Sequence, residues 1–156
     1  MSGKSIKFLC DEWETVDQAI VYLRENLEEL PPWRYQSLAS SGAVLGDIYK
    51  TVESTLRTLV EKIEGRKLNK DDRWHKALLE KGYEYEFIPK EHYKTIREML
   101  GFRHVIVHGY SIKLNEESIR QGAPEAINAF YGFVDHIRTK FDIPFEFSTQ
   151  SPSTED

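Results

Sequence analysis

Leu38, Leu45, Val52 and Leu59 stand seven residues apart, and Tyr49, Leu56 and Ile63 form a second row beside them. A repeat of this kind, sustained from Tyr35 to Ile63, is incompatible with a strand, whose apolar residues recur every second position. It describes a long helix with one apolar face, which is stable only when other helices cover that face. The same spacing recurs on both sides. Trp13, Val16, Ile20, Leu23, Leu27 and Leu30 alternate by three and four, which predicts a helix over residues 11–30, with Asp11 and Glu14 as a capping box. Pro31-Pro32 stops it. Gly65 is the expected C-cap of the second helix.

Residues 69–72 supply cap candidates for a short helix containing Trp74, His75, Leu78 and Leu79, which Gly82 is expected to end. Tyr83 to Ile88 reads as an aromatic connector, extended or capping the bundle. Pro89 suits the first turn of a fourth helix running through Tyr93, Ile96, Leu100 and Val107 toward Gly109. Asn115 caps a fifth helix, with Glu116 and Glu117 favourable at its N-terminal dipole. Gly122 and Pro124 are expected to break or kink it before Ile127, Phe130, Val134, Ile137 and Phe141 resume one face. The fold class is therefore all-α: an up-and-down bundle of four to five antiparallel helices. Residues 1–147 are expected to form one domain and 148–156 a disordered polar tail.

Composition narrows the function. No run approaches the roughly 18–20 apolar residues of a membrane span, and no signal peptide is read at the N-terminus. Cys10 is the only cysteine, which excludes an internal disulfide and cysteine-based zinc frameworks. These features predict a cytoplasmic protein without membrane contact. The formal charge is −5. That argues against a broad nucleic-acid-coating surface and leaves open a single local basic cleft.

The segment from Met99 to Ile112 carries the densest chemistry. Tyr93, Ile96, Leu100, Arg103, Val107 and Tyr110 alternate by three and four, so Arg103 falls within an apolar stripe. A guanidinium on such a seam needs an anion, or a carboxylate partner at the rim. His104 and His108 share one helical face, and Arg103 lies about 140° from His108, so the two flank a common seam. A second copy across a two-fold axis would close that seam around a phosphate. Histidine is the general base or acid nearest neutrality for a ribose 2′-hydroxyl, and a guanidinium offers planar donors to a phosphate gaining charge. Zinc on His104, His108 and His75 is the weaker reading, because the Glu of His-Glu-x-x-His is missing. No cofactor motif is present: there is neither a phosphate-binding loop nor a dinucleotide fingerprint. His92 and His136 read as solvated helix residues. The three tryptophans read as packing residues. Cys10, at the expected helix start, has no base partner to make it a nucleophile.

The arrangement Phe102-Arg103-His104-x3-His108-Gly-Tyr110 resembles the HEPN signature, and its His-x-Tyr extension is similar to the HepT branch, whose partner is the minimal nucleotidyltransferase MntA. Asp47 to Glu53 and Asp72-Arg-Trp-His75 with the following leucines are similar to further segments of that branch, so the resemblance covers about residues 11 to 141. It implies a homodimeric, metal-independent endoribonuclease toxin acting on RNA. It implies Arg103 at the scissile phosphate, His108 as general acid or base, His104 as an assisting residue and Glu53 as a support for Arg103 or His104. It further implies Tyr110 as the residue to which a nucleotidyltransferase antitoxin adds AMP, placing negative charge where RNA phosphate would bind. The alternative is a non-catalytic HEPN module that binds or regulates such a nucleotidyltransferase.

Overall fold

The computed structural model describes residues 1–69, 74–107 and 115–149, with 100–107 as helix backbone. It contains five helices in chain order: α1 (Gly3–Glu28), α2 (Tyr35–Glu64), α3 (Trp74–Glu84), α4 (Lys90–Val107) and α5 (Glu116–Lys140). No strand occurs among the described residues. The all-α bundle predicted from periodicity is the architecture found.

Helix α2 is the hub and packs against all four others. Its apolar face, from Val44 through Ile48, Val52, Leu56 and Leu59, is buried along its length. Helix α1 runs antiparallel to it. Near the top, Trp13 Nε1–H donates to Thr55 Oγ1 at 3.0 Å with both residues fully buried; near the bottom, Asn26 Nδ2 donates to Ser41 Oγ at 2.9 Å. Leu56 meets Gly82 and Ile88 just before α4, whereas Leu45 lines a small cavity with Met99 of α4 and Ala126 of α5. Helix α4 therefore descends as α2 rises, and α5 rises beside it.

Several local expectations need correction. Helix α1 begins eight residues before the predicted start at Asp11, with Ser2 as N-cap accepting from Ser5 N–H at 3.2 Å. Leu9 extends the buried stripe by one more step of four, and Asp11 pairs with Lys7 at 2.8 Å instead of capping. Cys10 consequently sits within the helix, where burial, then Asp11, raises its thiol pKa. Gly82 lies inside α3 rather than ending it, and α3 runs on to Glu84. The connector is a turn: Glu86 takes a φ of 62°, and Phe87 and Ile88 enter the core. The Tyr85 and Phe141 rings each lie 5.7 Å from that of Phe87, so this segment caps the bundle.

The predicted break in α5 does not occur, and the helix passes through Gly122 and Pro124 without interruption. Proline costs the bond to the Arg120 carbonyl. Its ring is exposed, while Ile119, Ala123, Ala126, Ile127 and Phe130 bury a continuous stripe that holds the helix together. The Gly65 C-cap is as expected, with φ 68°. So is Asn115, whose Oδ1 accepts from Ser118 N–H at 2.7 Å.

Ser148 and Thr149, assigned to the tail, are hydrogen-bonded. Thr149 N–H and Oγ1–H donate to the buried Asp17 at 3.1 and 2.5 Å, and Ser148 bonds to Glu14. The rest of the expected tail, 150–156, lies outside the described residues.

Candidate functional site

The α2–α4 register places the chemistry-bearing segment. Met99 lies beside Leu45, and residues 100–107 continue α4 downward, toward the start of α2 and of α5. Arg103 and His104 belong to this last part of α4. His108 and Tyr110, with the remainder of the connection to Asn115, lie outside the described residues, as do the cap candidates at 70–72.

What surrounds this end of the bundle is well defined. Trp33, in the α1–α2 connection, donates its backbone N–H to Glu116 Oε1 at 2.7 Å. That bond, which outweighs the opposing effect of burial, and the Arg120 guanidinium hold the Glu116 carboxyl below its ordinary pKa. Arg120 pairs with Glu116 at 2.7 Å, donates to the Leu27 and Glu29 carbonyls at 3.1 and 2.7 Å, and stacks 4.4 Å from the centroid of Trp33. Those carbonyls are among the unpaired groups that end α1. One arginine thus closes α1, orients Trp33 and fixes the first turn of α5. The α4–α5 connection is anchored on its C-terminal side by this lock and the Asn115 cap. At the same end Leu30 and Tyr35 expose 87% and 73% of their surface.

Glu53 is placed elsewhere. It is buried on α2, and its carboxylate accepts a hydrogen bond from His75 Nδ1 of α3. It stands two turns above Leu45, whereas Arg103 stands one turn below Met99. The two backbone positions are separated by about 18 Å of helix rise. Glu53 instead joins the two other segments that carried the family resemblance. Trp74 packs on His75 with ring centroids 3.8 Å apart, and the Arg57 guanidinium lies 5.9 Å from Trp74. Among the described residues no group of three metal-binding side chains converges.

A groove of about 920 Å³, not foreseen from residue spacing, lies between the α3–α4 turn and α5. His92 and His136, expected to be solvated, line it half-buried. His136 Nε2 donates to the Glu86 carbonyl at 2.7 Å, and His92 packs so tightly on Gly132 that a Cβ there would lie 2.1 Å from Nε2. The contact requires the glycine, which is the one signal at these positions.

A sequence model of the family described as HepT-like protein matches residues 40–142. The chain belongs to this HepT-like family. No curated protein and no solved structure matched it. The HepT-like match begins within α2 and ends just past α5, so it contains Arg103 and His104 of α4 and the α4–α5 connection with His108 and Tyr110. It also contains the Glu53–His75 pair. The HepT-like core is thus α2 to α5, with α1 packed on α2. Among the described residues, no helix is long and apolar enough to cross a membrane.

Proposed function

We propose that this protein is a HEPN-type endoribonuclease that works without a metal, the toxin of a toxin–antitoxin pair. The observation that carries the reading is the HepT-like match over residues 40–142, which includes Arg103-x4-His108-x-Tyr110. In this reading His108 takes or delivers a proton while the ribose 2′-oxygen attacks the adjacent phosphorus. The bond to the 5′-oxygen breaks, that oxygen leaves protonated, and a 2′,3′-cyclic phosphate remains. Arg103 donates to the non-bridging oxygens as their charge grows, and His104 assists at the same phosphate.

The active form is a homodimer, with two motifs near the interface supplying acid and base. Support comes from the exposed Leu30 and Tyr35 at the end of the bundle toward which the motif helix runs. A minimal nucleotidyltransferase of the MntA type silences the enzyme. The Tyr110 phenolic oxygen attacks the α-phosphate of ATP, pyrophosphate leaves, and the added AMP fills the phosphate pocket with negative charge. The site of action is the cytoplasm.

The net charge of −5 favours one competing reading, a non-catalytic HEPN module that binds or regulates the nucleotidyltransferase. Expression of the chain alone separates the two. Growth arrest that disappears with His108→Ala or Arg103→Ala supports the toxin. A harmless parent that still captures its nucleotidyltransferase supports the module.

A further inference from the structure

The acidic total hides an uneven distribution. Residues 57–69 and 74–81 hold six lysines and arginines against three glutamates, a balance of +3 in a chain of −5. They form the C-terminal end of α2, the five residues that follow it and most of α3, where a cavity of about 180 Å³ opens. Leu68, Trp74, Ala77 and Leu78 make its apolar wall, and Arg66, Asn69 and Lys81 its polar rim.

Glu64 serves two of these cations at once, meeting Lys81 at 2.9 Å and Arg66 at 3.3 Å, and it also accepts from Tyr85 at 2.9 Å. One carboxylate between two cations leaves the rim positive. Lys67, just past α2, and Lys76, on α3, are exposed and have no ion-pair partner among the described residues. An apolar slot rimmed by amide and cationic donors, with further lysines beside it, matches a strand that carries flat bases and regularly spaced phosphates.

We propose that this surface is a second, sequence-tolerant contact for single-stranded RNA, with a base in the slot and phosphates on Arg66, Lys67 and Lys76. The α2–α4 register sets it roughly 35 Å of helix rise from Arg103, at the opposite end of the bundle. The inference takes RNA as the substrate from the proposed function. It would give an acidic protein an RNA-holding surface that its total charge conceals.

The test is fluorescence anisotropy of a labelled oligouridylate on full-length His108→Ala protein, which holds RNA without cutting it, titrated across salt. The triple variant Arg66→Gln, Lys67→Gln, Lys76→Gln is expected to flatten the slope of log affinity against log salt by about 2 and to weaken binding on the order of tenfold or more at about 0.1 M salt. Ala77→Glu, at an exposed helix position on the cavity wall, is expected to weaken binding in the same direction, and circular dichroism verifies both folds. Unchanged slope and affinity in both variants overturn the inference. So does a protein that binds no RNA, or one that binds polyglutamate through these residues as tightly as RNA. If patch-dependent binding persists in a protein that never cleaves, the exosite stands and the nuclease reading falls. Cleavage by a protein whose patch variants bind like the parent gives the reverse.

Discussion

The backbone N–H of Trp33 and the carboxylate of Glu116 meet at 2.7 Å although 83 positions separate them in the chain. The bond ties the α1–α2 connection to the first turn of α5, immediately after the segment that holds His108 and Tyr110. Because this bond and Arg120 lower the Glu116 pKa on folding, its carboxylate stabilises the fold above the ordinary value near 4.5, and that contribution disappears as pH falls through the depressed value. Glu116→Gln is therefore expected to melt below the parent at pH 7. The gap should close progressively below pH 4.5. Thermal melts across pH measure it, and a gap that stays constant to low pH contradicts the assignment.

Asp17 is fully buried and accepts from Tyr131 Oη at 2.5 Å as well as from Thr149. Thr149→Ala removes the hydroxyl donor from a buried carboxylate whose Oδ1 still accepts from Tyr131 and whose Oδ2 still accepts from the residue 149 N–H, at a cost of about 0.5–1.5 kcal/mol. Urea denaturation of this variant measures the loss. A midpoint equal to the parent's would show that Thr149 adds nothing to the core.

Thr55→Val keeps the shape of the side chain and removes the acceptor of the Trp13 indole N–H. The orphaned buried donor is expected to cost about 1–3 kcal/mol. Adding Trp13→Phe should cost less than the two single changes together, because the two groups share one bond. Additive losses would mean the bond contributes nothing.

Gly82→Ala sets two effects against each other. Alanine gains about 1 kcal/mol of helix propensity over glycine. Its Cβ, however, would lie 2.8 Å from Leu56 Cδ2 and 3.2 Å from Ile88 Cδ1, both buried and unable to swing away. Overpacking costs about 1–3 kcal/mol, so the expected net change is a loss of about 1 kcal/mol. Stabilisation would show that Leu56 repacks freely.

The helices were legible because the buried stripe of each is written at spacings of three and four. Their ends were less so. The predicted start of α1 rested on Asp11 as a cap, although Leu9, four before Trp13, already continued the stripe. In α5 the breakers Gly122 and Pro124 carried too much weight: an exposed proline sacrifices one backbone bond, whereas Ala123, Ala126 and Ile127 bury a stripe on both sides of it. Glu53 shows the limit for a site. Resemblance attached it to Arg103 or His104; among the described residues it meets His75, a pairing set by the packing of α3 on α2 that no spacing within α2 encodes. The lock of Arg120 on Trp33 was equally invisible, being formed across 87 positions between a tryptophan read only as a packing residue and a cation on α5.

The decisive measurement identifies the ends of RNA incubated with the protein in excess chelator. The expected ends are 2′,3′-cyclic phosphates, formed at a rate that falls about 10²–10⁴-fold in His108→Ala while the helical content stays unchanged. Cleavage that stops on chelation, or that continues undiminished in His108→Ala, would contradict the proposed function.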